Sequence, residues 1–307
     1  MTDWYIEEVS RYEQHRHAYD KVLYEGQTRW QQVRVVQSHR YGKILLLDDD
    51  IQSAQADERF YHEVLVHPAL LSLSRPARTA LIMGGGEGAT LREILRHRSI
   101  ERVVMIDLDG ELVDICKQHM PEWAEGAFED PRLELHADDA RAWIDQTSEK
   151  FDVIIHDLPQ PLEDSPLRRL FSRQCFERMR DVMHPDGVFC MQACSAKMTT
   201  NRMHMAVVNT ARQAFRFAHN LHAFIPSFSN DWGYCVGSAS VDPRTISADE
   251  IDRRIADRVE GSLELYSGPM HHAMLTLPPW FTRAQAAMDV VIDDDLPLPA
   301  RLFNDGD

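Results

Sequence analysis

TALIMGGGEGAT, residues 79–90, is the stretch that decides the fold of this chain. Its first five residues are typical of a short buried strand, and its glycines lead directly into a helical segment, Leu91–Arg96. Glycines at such a junction allow a tight turn and let a ligand approach the backbone, while the helix N-terminus offers free N–H groups. We therefore predict that Gly84, Gly86 and Gly88 border a bound ligand.

Glu87 lies inside this glycine turn and bears on the kind of ligand. The spacing also fits G-x-G-x-x-A, the dinucleotide fingerprint, in which a pyrophosphate binds at the helix N-terminus. A pyrophosphate needs no negative charge from the turn, whereas a carboxylate suits a cation such as a sulfonium or an ammonium. Glu87 therefore favours a cationic ligand. A dinucleotide and a plain strand–helix turn are the alternatives.

Strands and helices alternate regularly after this turn. Four further strands are predicted at Arg102–Asp107, Leu133–Ala137, Phe151–His156 and Gly187–Gln192. The predicted helices between them are Glu111–His119, Arg141–Gln146 and Ser172–Met183. Such alternation predicts a parallel sheet with crossover helices.

The N-terminal part of the chain has a different pattern. Residues 29–56 are rich in β-branched and apolar residues, which predicts strands. Residues 57–73 have helical spacing, with Asp57 as a candidate N-cap. We therefore predict an α/β protein with a small β-rich domain over residues 1–73 and a doubly wound domain over residues 74–307.

Carboxylates follow several of the predicted strands. Asp107 ends the second strand, Asp138 and Asp139 follow the third, and Asp157 follows the fourth. In a doubly wound sheet the ligand binds at the carboxyl ends of the strands, where an acid after the second strand can hold ribose hydroxyls. Each acid alone could be a solvated strand-end residue, but their convergence predicts an adenosyl pocket.

Charge and composition exclude several classes of protein. Among 307 residues, 33 are Lys or Arg and 49 are Asp or Glu, giving a net charge of −16. This charge opposes binding to nucleic acid, whose phosphates attract cationic side chains, and it is compatible with a cationic ligand. The five cysteines are an odd number without tight spacing, which does not indicate a disulfide framework. Since the sequence also predicts no secretory signal or membrane span, we expect a cytoplasmic protein with no membrane partner.

Two aromatic residues near the start of the 57–73 helix are further candidates. Tyr61 could be a core aromatic and His62 a surface histidine, or both could face the pocket. His62 and His67 also suggest a zinc site. Their spacing of five residues, however, places them roughly 140° apart around a helix, whereas zincins use a spacing of four. We therefore predict no metal site.

The motifs together resemble those of the polyamine aminopropyltransferases, the spermidine, spermine and thermospermine synthases. The matching runs, spread over residues 25–285, are YGKILLLDDDIQS, DERFYHEVLVHPAL, IMGGGEGATLREILRH, ERVVMIDLDGELVDICK, FDVIIHDLPQP, IPSFSNDWGY and LYSGPMHHAMLTLP. The forms GGGEG, DERFYHEVLVHPALL and PSFSNDWG look closest to the thermospermine synthase branch.

The resemblance implies a fold and a reaction. The fold would be a Rossmann-like, methyltransferase-type domain with a small N-terminal β-hairpin domain, assembled as a homodimer. In the reaction, a polyamine nitrogen attacks the carbon beside the sulfonium of decarboxylated S-adenosylmethionine, and 5′-methylthioadenosine leaves. This donor is a co-substrate, and no tightly bound cofactor is expected.

The resemblance also implies roles on the donor side. Gln31 would contact the adenosyl part, and Asp107 would bind the ribose hydroxyls. Asp139, beside Asp138, would receive the adenine amino group. Glu87 would hold the aminopropyl ammonium.

On the acceptor side, Gln52 would line the pocket between the two substrates, and Tyr61 and His62 would border the acceptor amine. Asp157 would bind the attacking nitrogen and accept its proton with help from Tyr61. The far end of the polyamine channel would be shaped by Phe228, Asp231 and Trp232.

One position departs from the family pattern. The loop after the fourth strand normally has the form D-x-x-D-P, but here it is Asp157-Leu158-Pro159-Gln160-Pro161. Gln160 carries no charge and cannot accept a proton as a carboxylate does. Because this changes the pocket for a cationic amine, three alternatives stay open: methyl transfer, 3-amino-3-carboxypropyl transfer, or an inactive polyamine-binding paralogue. A dehydrogenase is a more distant alternative.

Overall fold

A computed structural model describes residues 3–10, 13–161 and 166–303, so the outer ends of the two predicted domains lie outside the described residues. Strands β1 (Asp3–Ser10) and β2 (Glu13–Tyr19) form an antiparallel pair. A four-stranded antiparallel sheet follows, built from β3 (Lys21–Gln27), β4 (Gln32–Ser38), β5 (Gly42–Leu47) and β6 (Asp50–Ala54). Its last hairpin turns at Asp48 and Asp49, whose positive φ angles of 48° and 65° suit a two-residue turn.

The larger part of the chain contains a seven-stranded sheet in the order β12-β13-β11-β10-β7-β8-β9. Its strands are β7 (Thr79–Gly84), β8 (Arg102–Asp107), β9 (Leu133–Ala137), β10 (Phe151–Asp157), β11 (Met183–Ser195), β12 (Phe217–Ile225) and β13 (Asn230–Ser238). The first five are parallel to one another, which confirms the predicted α/β fold with a Rossmann-like, methyltransferase-type sheet. The last two pair antiparallel at one edge and were not predicted.

Helices cover both faces of this sheet. They are α1 (Glu58–Ser72), α2 (Ala89–Leu95), α3 (Gly110–His119), α4 (Pro121–Ala124), α5 (Ala140–Gln146), α6 (Arg173–Asp181), α7 (Arg202–Ala214), α8 (Ala248–Arg258), α9 (Gly268–Leu275) and α10 (Pro279–Ala287). Among the residues described, no helix is both long and apolar enough to cross a membrane.

Helix α1 connects the N-terminal sheets to the larger sheet. It packs against α2 and against the strands β10 to β13, so it shares the core of the larger sheet. Asp57 occupies the predicted N-cap position, but its side chain makes no hydrogen bond to the helix N-terminus. Its carboxylate instead accepts a 2.6 Å hydrogen bond from the backbone N–H of Ser227. The boundary at residue 73 stays a prediction.

Candidate active site

The carboxyl ends of the parallel strands bring the glycine turn next to Asp157. Strands β7 and β10 are neighbours, and Gly84 pairs directly with Asp157. The N–H of Gly85 donates a 3.0 Å hydrogen bond to the carbonyl of Asp157. On the other side of β7, Asp107 ends β8, and its carbonyl accepts a bond from the N–H of Asp138. The predicted convergence of acids at one sheet edge is therefore present in the geometry.

The glycines of the turn are small for different reasons. A Cβ on Gly84 would overlap the carbonyl oxygen of Asp157, and one on Gly86 would lie 2.9 Å from Oδ2 of Asp107. Gly88 instead packs on Phe128, where a Cβ would lie 2.6 Å from the ring. Gly84 lets the backbone of Asp157 approach the turn, and Gly86 does the same for the carboxylate of Asp107. Gly88 serves the packing of α2, and its φ of 88° is one that glycine adopts without strain.

Asp107 is linked to the N-terminal domain through Asp109. The N–H of Asp109 donates to Oδ1 of Asp107 at 2.9 Å, and Oδ2 of Asp109 accepts from the Gln31 amide at 2.8 Å and from Thr28 Oγ1 at 2.6 Å. Burial raises the pKa of Asp107 to about 6, against the opposing effect of backbone N–H donors. Gln31 is thus linked to Asp107 through one intervening residue, Asp109.

Asp138 and Asp139 lie at the exposed rim of this pocket. The side chain of Asp139 accepts from the N–H groups of Arg141 and Ala142 at 2.8 and 3.2 Å, so it caps helix α5. Asp138 Oδ1 accepts from the N–H of Asp139 at 2.8 Å. Both carboxylates stay near the mouth, where a flat heteroaromatic group would be partly exposed to solvent.

Asp157 is held by two hydroxyl groups. Tyr61 Oη donates to Oδ1 at 3.2 Å, and Thr90 Oγ1 donates to Oδ2 at 2.6 Å. Burial, followed by the charge of Asp157, raises the pKa of Tyr61 well above its ordinary value, so the phenol stays protonated and acts as a donor. Thr90 was not singled out from the sequence, although it directly follows the glycine turn.

An aromatic wall extends from Tyr61 along the sheet. The ring of Phe228 lies 6.1 Å from that of Tyr61 and 5.0 Å from that of Trp232, and Tyr234 lies 5.5 Å from Tyr61. The indole N–H of Trp232 and the hydroxyl of Tyr234 are buried without a hydrogen-bond partner. The apolar wall suits an alkyl chain, and the Tyr234 hydroxyl can accept a hydrogen bond from a cationic nitrogen, whereas the Trp232 N–H can only donate to an acceptor.

Three predicted residues stand apart from this wall. Asp231 alternates with Trp232 along β13 and is half exposed, 4.0 Å from His222. Gln52 bonds the backbone carbonyl of Asp50 at 3.4 Å, and Gln160 is exposed in the loop after β10. These residues were assigned to the site because they belong to the family motifs. For Asp231, the alternation of side chains along a strand places its side chain on the face opposite Trp232.

His62 is buried beneath the glycine turn rather than at the surface. Its Nε2 lies 2.7 Å from Oε1 of Glu87, and its Nδ1 lies 3.1 Å from Oε2 of Glu58. Burial lowers the pKa of His62, but the charge of Glu87 and the contact with Glu58 more than compensate and raise it to about 10. Glu87 thus faces the pocket with an imidazolium behind it.

The arrangement has a definite chemical capacity. Two carboxylates, Glu87 and Asp157, approach one volume lined by apolar rings and backbone N–H groups, and a third, Asp107, lies on the far side of the glycines. Carboxylates in such a pocket bind cationic nitrogens, and one that is not neutralised by a neighbouring cation can accept a proton. The site therefore suits a cationic substrate and a nucleophile that loses a proton.

Comparisons with known proteins found similar sequences over most of the chain. A family profile described as the spermine/spermidine synthase domain covers residues 58–247, and one described as the spermidine synthase tetramerisation domain covers residues 3–55. The chain is 42% identical over 250 residues to polyamine aminopropyltransferase 2 of Pseudomonas aeruginosa, covering 81% of this chain and 71% of that protein. It is 39% identical to the polyamine aminopropyltransferase of Saccharolobus solfataricus, covering 90% of each chain.

Solved structures support the fold. A spermidine synthase in complex with the transition-state analogue AdoDATO superposes with a TM-score of 0.85 at 24% identity, covering 93% of this chain and 95% of that one. The spermidine synthase from Thermotoga maritima superposes with a TM-score of 0.82 at the same identity and coverage.

Proposed function

The chain belongs to the spermine/spermidine synthase family, and from this premise we propose that it moves an aminopropyl group from decarboxylated S-adenosylmethionine to an amine nitrogen. The observation that carries the proposal is the position of Asp157. It lies between Tyr61 and Thr90, directly beside the glycine turn and close enough to Glu87 for the two charges to interact. A nucleophilic nitrogen on Asp157 would therefore meet a donor held at the turn.

The donor side is proposed as follows. The ribose hydroxyls bind Asp107, the adenine amino group lies near Asp139, and Gln31 closes the pocket from the N-terminal domain. Glu87 binds the ammonium of the aminopropyl chain, which directs the carbon beside the sulfonium toward Asp157. Because methylthioadenosine leaves as a neutral thioether, the departing group needs no general acid.

The acceptor side supplies the proton chemistry. An alkyl ammonium loses its proton only near pH 10.4 and has no lone pair while it is protonated, so a carboxylate must take that proton before the nitrogen attacks. Asp157 does this, and Tyr61, held protonated, orients it. Most of the remaining acceleration comes from holding the two reactants in line.

The identity of the acceptor depends on the far end of the channel. There the wall formed by Phe228, Trp232 and Tyr234 accommodates the alkyl chain, while Gln160 replaces the second acid of the usual D-x-x-D-P loop. Losing one carboxylate weakens the attraction for a short diamine, whose two cations lie close together. We therefore propose a triamine as the acceptor, consistent with the motif likeness to thermospermine synthases.

The test is a direct assay of both substrates. Purified protein is incubated with decarboxylated S-adenosylmethionine and either putrescine, cadaverine, agmatine or spermidine, with intact S-adenosylmethionine in parallel, and products are identified by mass spectrometry. We expect methylthioadenosine together with spermidine heavier by one aminopropyl group, from the decarboxylated donor alone. Gln160→Asp should increase turnover of putrescine relative to spermidine.

Other results would support the alternatives. Reaction with intact S-adenosylmethionine alone would indicate methyl or 3-amino-3-carboxypropyl transfer, although a donor carboxylate would be repelled by Glu87. Spermidine binding without turnover of either donor would indicate a binding-only paralogue. A rise in thermal stability with NAD would indicate a dinucleotide site.

We also propose self-association through the N-terminal strands in a cytoplasmic enzyme. Large apolar side chains are exposed there, with Trp4 at 58% and Trp30 at 47% exposure, in the part that matches the tetramerisation profile. That match favours a tetramer over the homodimer expected from the sequence. Sedimentation equilibrium separates the two, since a dimer and a tetramer differ twofold in mass.

A further inference from the structure

The protonation state of His62 follows from its surroundings. Nδ1 lies 2.6 Å from the carbonyl oxygen of Glu58 and 3.1 Å from its carboxylate, and Nε2 lies 2.7 Å from the carboxylate of Glu87. Every one of these neighbours is an acceptor, and a neutral imidazole carries only one N–H. The Nε2 contact with Glu87 is an ion-pair distance without hydrogen-bond alignment, and a neutral ring would turn the lone pair of one nitrogen toward an oxygen, so these neighbours favour the imidazolium.

Glu58 is itself fixed from behind by Arg92. The two guanidinium nitrogens of Arg92 reach the two carboxylate oxygens of Glu58 at 3.0 and 2.9 Å, a bidentate pair in which both side chains are about 95% buried. Arg92 also donates to the carbonyl of Trp123 at 2.6 Å and to Glu93 at 2.9 Å. Since Glu58 begins α1 and Arg92 lies in α2, the pair also sets the spacing between these helices.

The charges therefore alternate from the protein interior to the pocket, in the order Arg92, Glu58, His62, Glu87. The last carboxylate needs this support, because burial raises the pKa of Glu87, the negative charges of Asp157 and Glu58 add to the effect, and the pKa stays raised even with His62 opposing it. Tyr61 also packs against His62, with ring centroids 4.9 Å apart, and is neutral. The imidazolium opposes protonation of Glu87 and leaves one of its two oxygens for a ligand.

We propose that Glu58 and Arg92 are positioning residues, which hold His62 as an imidazolium against Glu87 and so keep Glu87 ionised and aimed at the donor's ammonium group. The inference rests on the proposed function for the nature of the donor. It also assigns His62 a fixed proton, so His62 is not the base that deprotonates the acceptor.

The first measurement is nuclear magnetic resonance of the histidine side chains. Protein labelled with ¹⁵N-histidine is studied by long-range ¹H–¹⁵N correlation at pH 8, and the His62 signals are identified by their absence in His62→Gln. We expect imidazolium shifts for both nitrogens of His62 in the natural protein, and a titration over rising pH in which Glu58→Gln loses the imidazolium at a lower pH than the natural protein does. A neutral His62 in the natural protein would overturn the proposal.

The second measurement is donor affinity at pH 8, by calorimetry with decarboxylated S-adenosylmethionine. Glu58→Gln should weaken binding about tenfold or more, since small displacements of a supporting residue have effects of this size or larger, and the KM of the acceptor should change less than twofold. Unchanged donor affinity would overturn the proposal. Glu63→Gln is the matched control, a fully buried glutamate on the same helix that bonds the N–H groups of Glu264, Leu265 and Tyr266 instead. It should lower the Tm and leave donor affinity intact.

A second variant and a comparison of the outcomes distinguish a failure of this proposal from a failure to fold or a failure of the proposed function. If Glu58→Gln does not fold, the double variant Glu58→Gln, Arg92→Met removes both charges of the pair, and the same shift of His62 and loss of donor affinity are expected. If the natural protein shows no turnover with any acceptor, the proposed function fails, but the resonance experiment still decides the charge of His62. Equal losses of donor affinity in Glu58→Gln and Glu63→Gln would assign Glu58 a structural role only and overturn the proposal.

Discussion

Asp157 is the residue on which the proposed proton transfer depends. Replacing it with Asn keeps the size of the side chain and its contact with Thr90 but removes the basic oxygen. Since general base catalysis typically contributes a factor of 10² to 10⁴, we expect kcat to fall by about that amount, with the donor KM changing much less. Steady-state kinetics of Asp157→Asn measures this, with Asp138→Asn at the rim as the control. Equal losses of kcat in the two variants would contradict the role of Asp157.

Asp107 makes donor binding depend on pH. Its pKa is raised to about 6 by burial, and only the ionised carboxylate accepts hydrogen bonds from both ribose hydroxyls. Affinity for methylthioadenosine, which has no ammonium group, should be constant above pH 7 and fall up to tenfold per unit as the pH drops below about 6. Calorimetry between pH 5 and 8 tests this. Asp107→Asn should bind more weakly and lose the dependence; an unchanged dependence in that variant would assign it to another group.

Sequence reasoning located the residues that face the pocket better than those that support them. Asp107, Glu87 and Asp157 each follow a strand, and the carboxyl edge of a parallel sheet gathers such positions. Thr90, Glu58 and Arg92 gave no comparable signal. Thr90 lies 67 positions from its partner Asp157, and Arg92 lies 34 from Glu58. Contacts between elements that are so far apart in the sequence depend on how the elements pack, and a local sequence pattern does not specify that packing.

At the scale of single elements, the turn between β7 and α2 combines two demands on Gly84. Its φ is +88°, and a Cβ would overlap the backbone of Asp157. Gly126 has a similar φ of +85° with nothing within 4 Å of an added Cβ, so Gly126→Ala measures the conformational cost alone, about 1–2 kcal/mol. We expect Gly84→Ala to cost about 2 kcal/mol or more beyond the cost of Gly126→Ala, since overpacking adds an amount of this order. The substitution should also displace Asp157. Urea unfolding of both variants decides this; equal costs would contradict it.

Helix α8 holds the C-terminal end of α1. Arg254 donates from one guanidinium nitrogen to the carbonyls of Leu71, Ser72 and Leu73, at 2.7 to 3.2 Å, which satisfies acceptors that a helix end leaves free. Arg254→Met should lower the free energy of unfolding by about 2–4 kcal/mol, since buried carbonyls lose a charged donor. The exposed neighbour Arg253 pairs only at the surface with Glu250 and Asp257, so Arg253→Met should cost about 0.5 kcal/mol or less. Similar losses would contradict a role for α8 in holding α1.

The elements themselves were predicted unevenly. All five parallel strands were predicted, four of them to within one residue, whereas β11 extends beyond the predicted Gly187–Gln192 at both ends, to Met183 and Ser195. Strands β12 and β13 were missed because their histidines, serines and glycines interrupt the apolar pattern. Gly233 is one such interruption in β13. Its position requires glycine because a Cβ there would collide with the ring of His204.

At the scale of the whole molecule, the candidate site is assembled from both parts of the chain. Gln31 and Thr28 reach Asp109 from the N-terminal sheet, and Tyr41 donates to the carbonyl of Pro226 at 3.1 Å, beside the aromatic wall. The sequence predicted the two parts but not this closure, because no pattern within either part specifies how they dock. The net charge of −16 is consistent with such a site, since acidic walls concentrate polycations.

The central claim is that an adenosyl donor and an amine meet between Glu87 and Asp157. The most direct test is a crystal structure with methylthioadenosine and spermidine bound together. We predict the ribose on Asp107, the adenine near Asp139, the thioether sulfur at the glycine turn, and a spermidine nitrogen within hydrogen-bond distance of Asp157, with its chain along Phe228 and Trp232. A spermidine bound elsewhere, or an adenosyl group away from Asp107, would contradict the account.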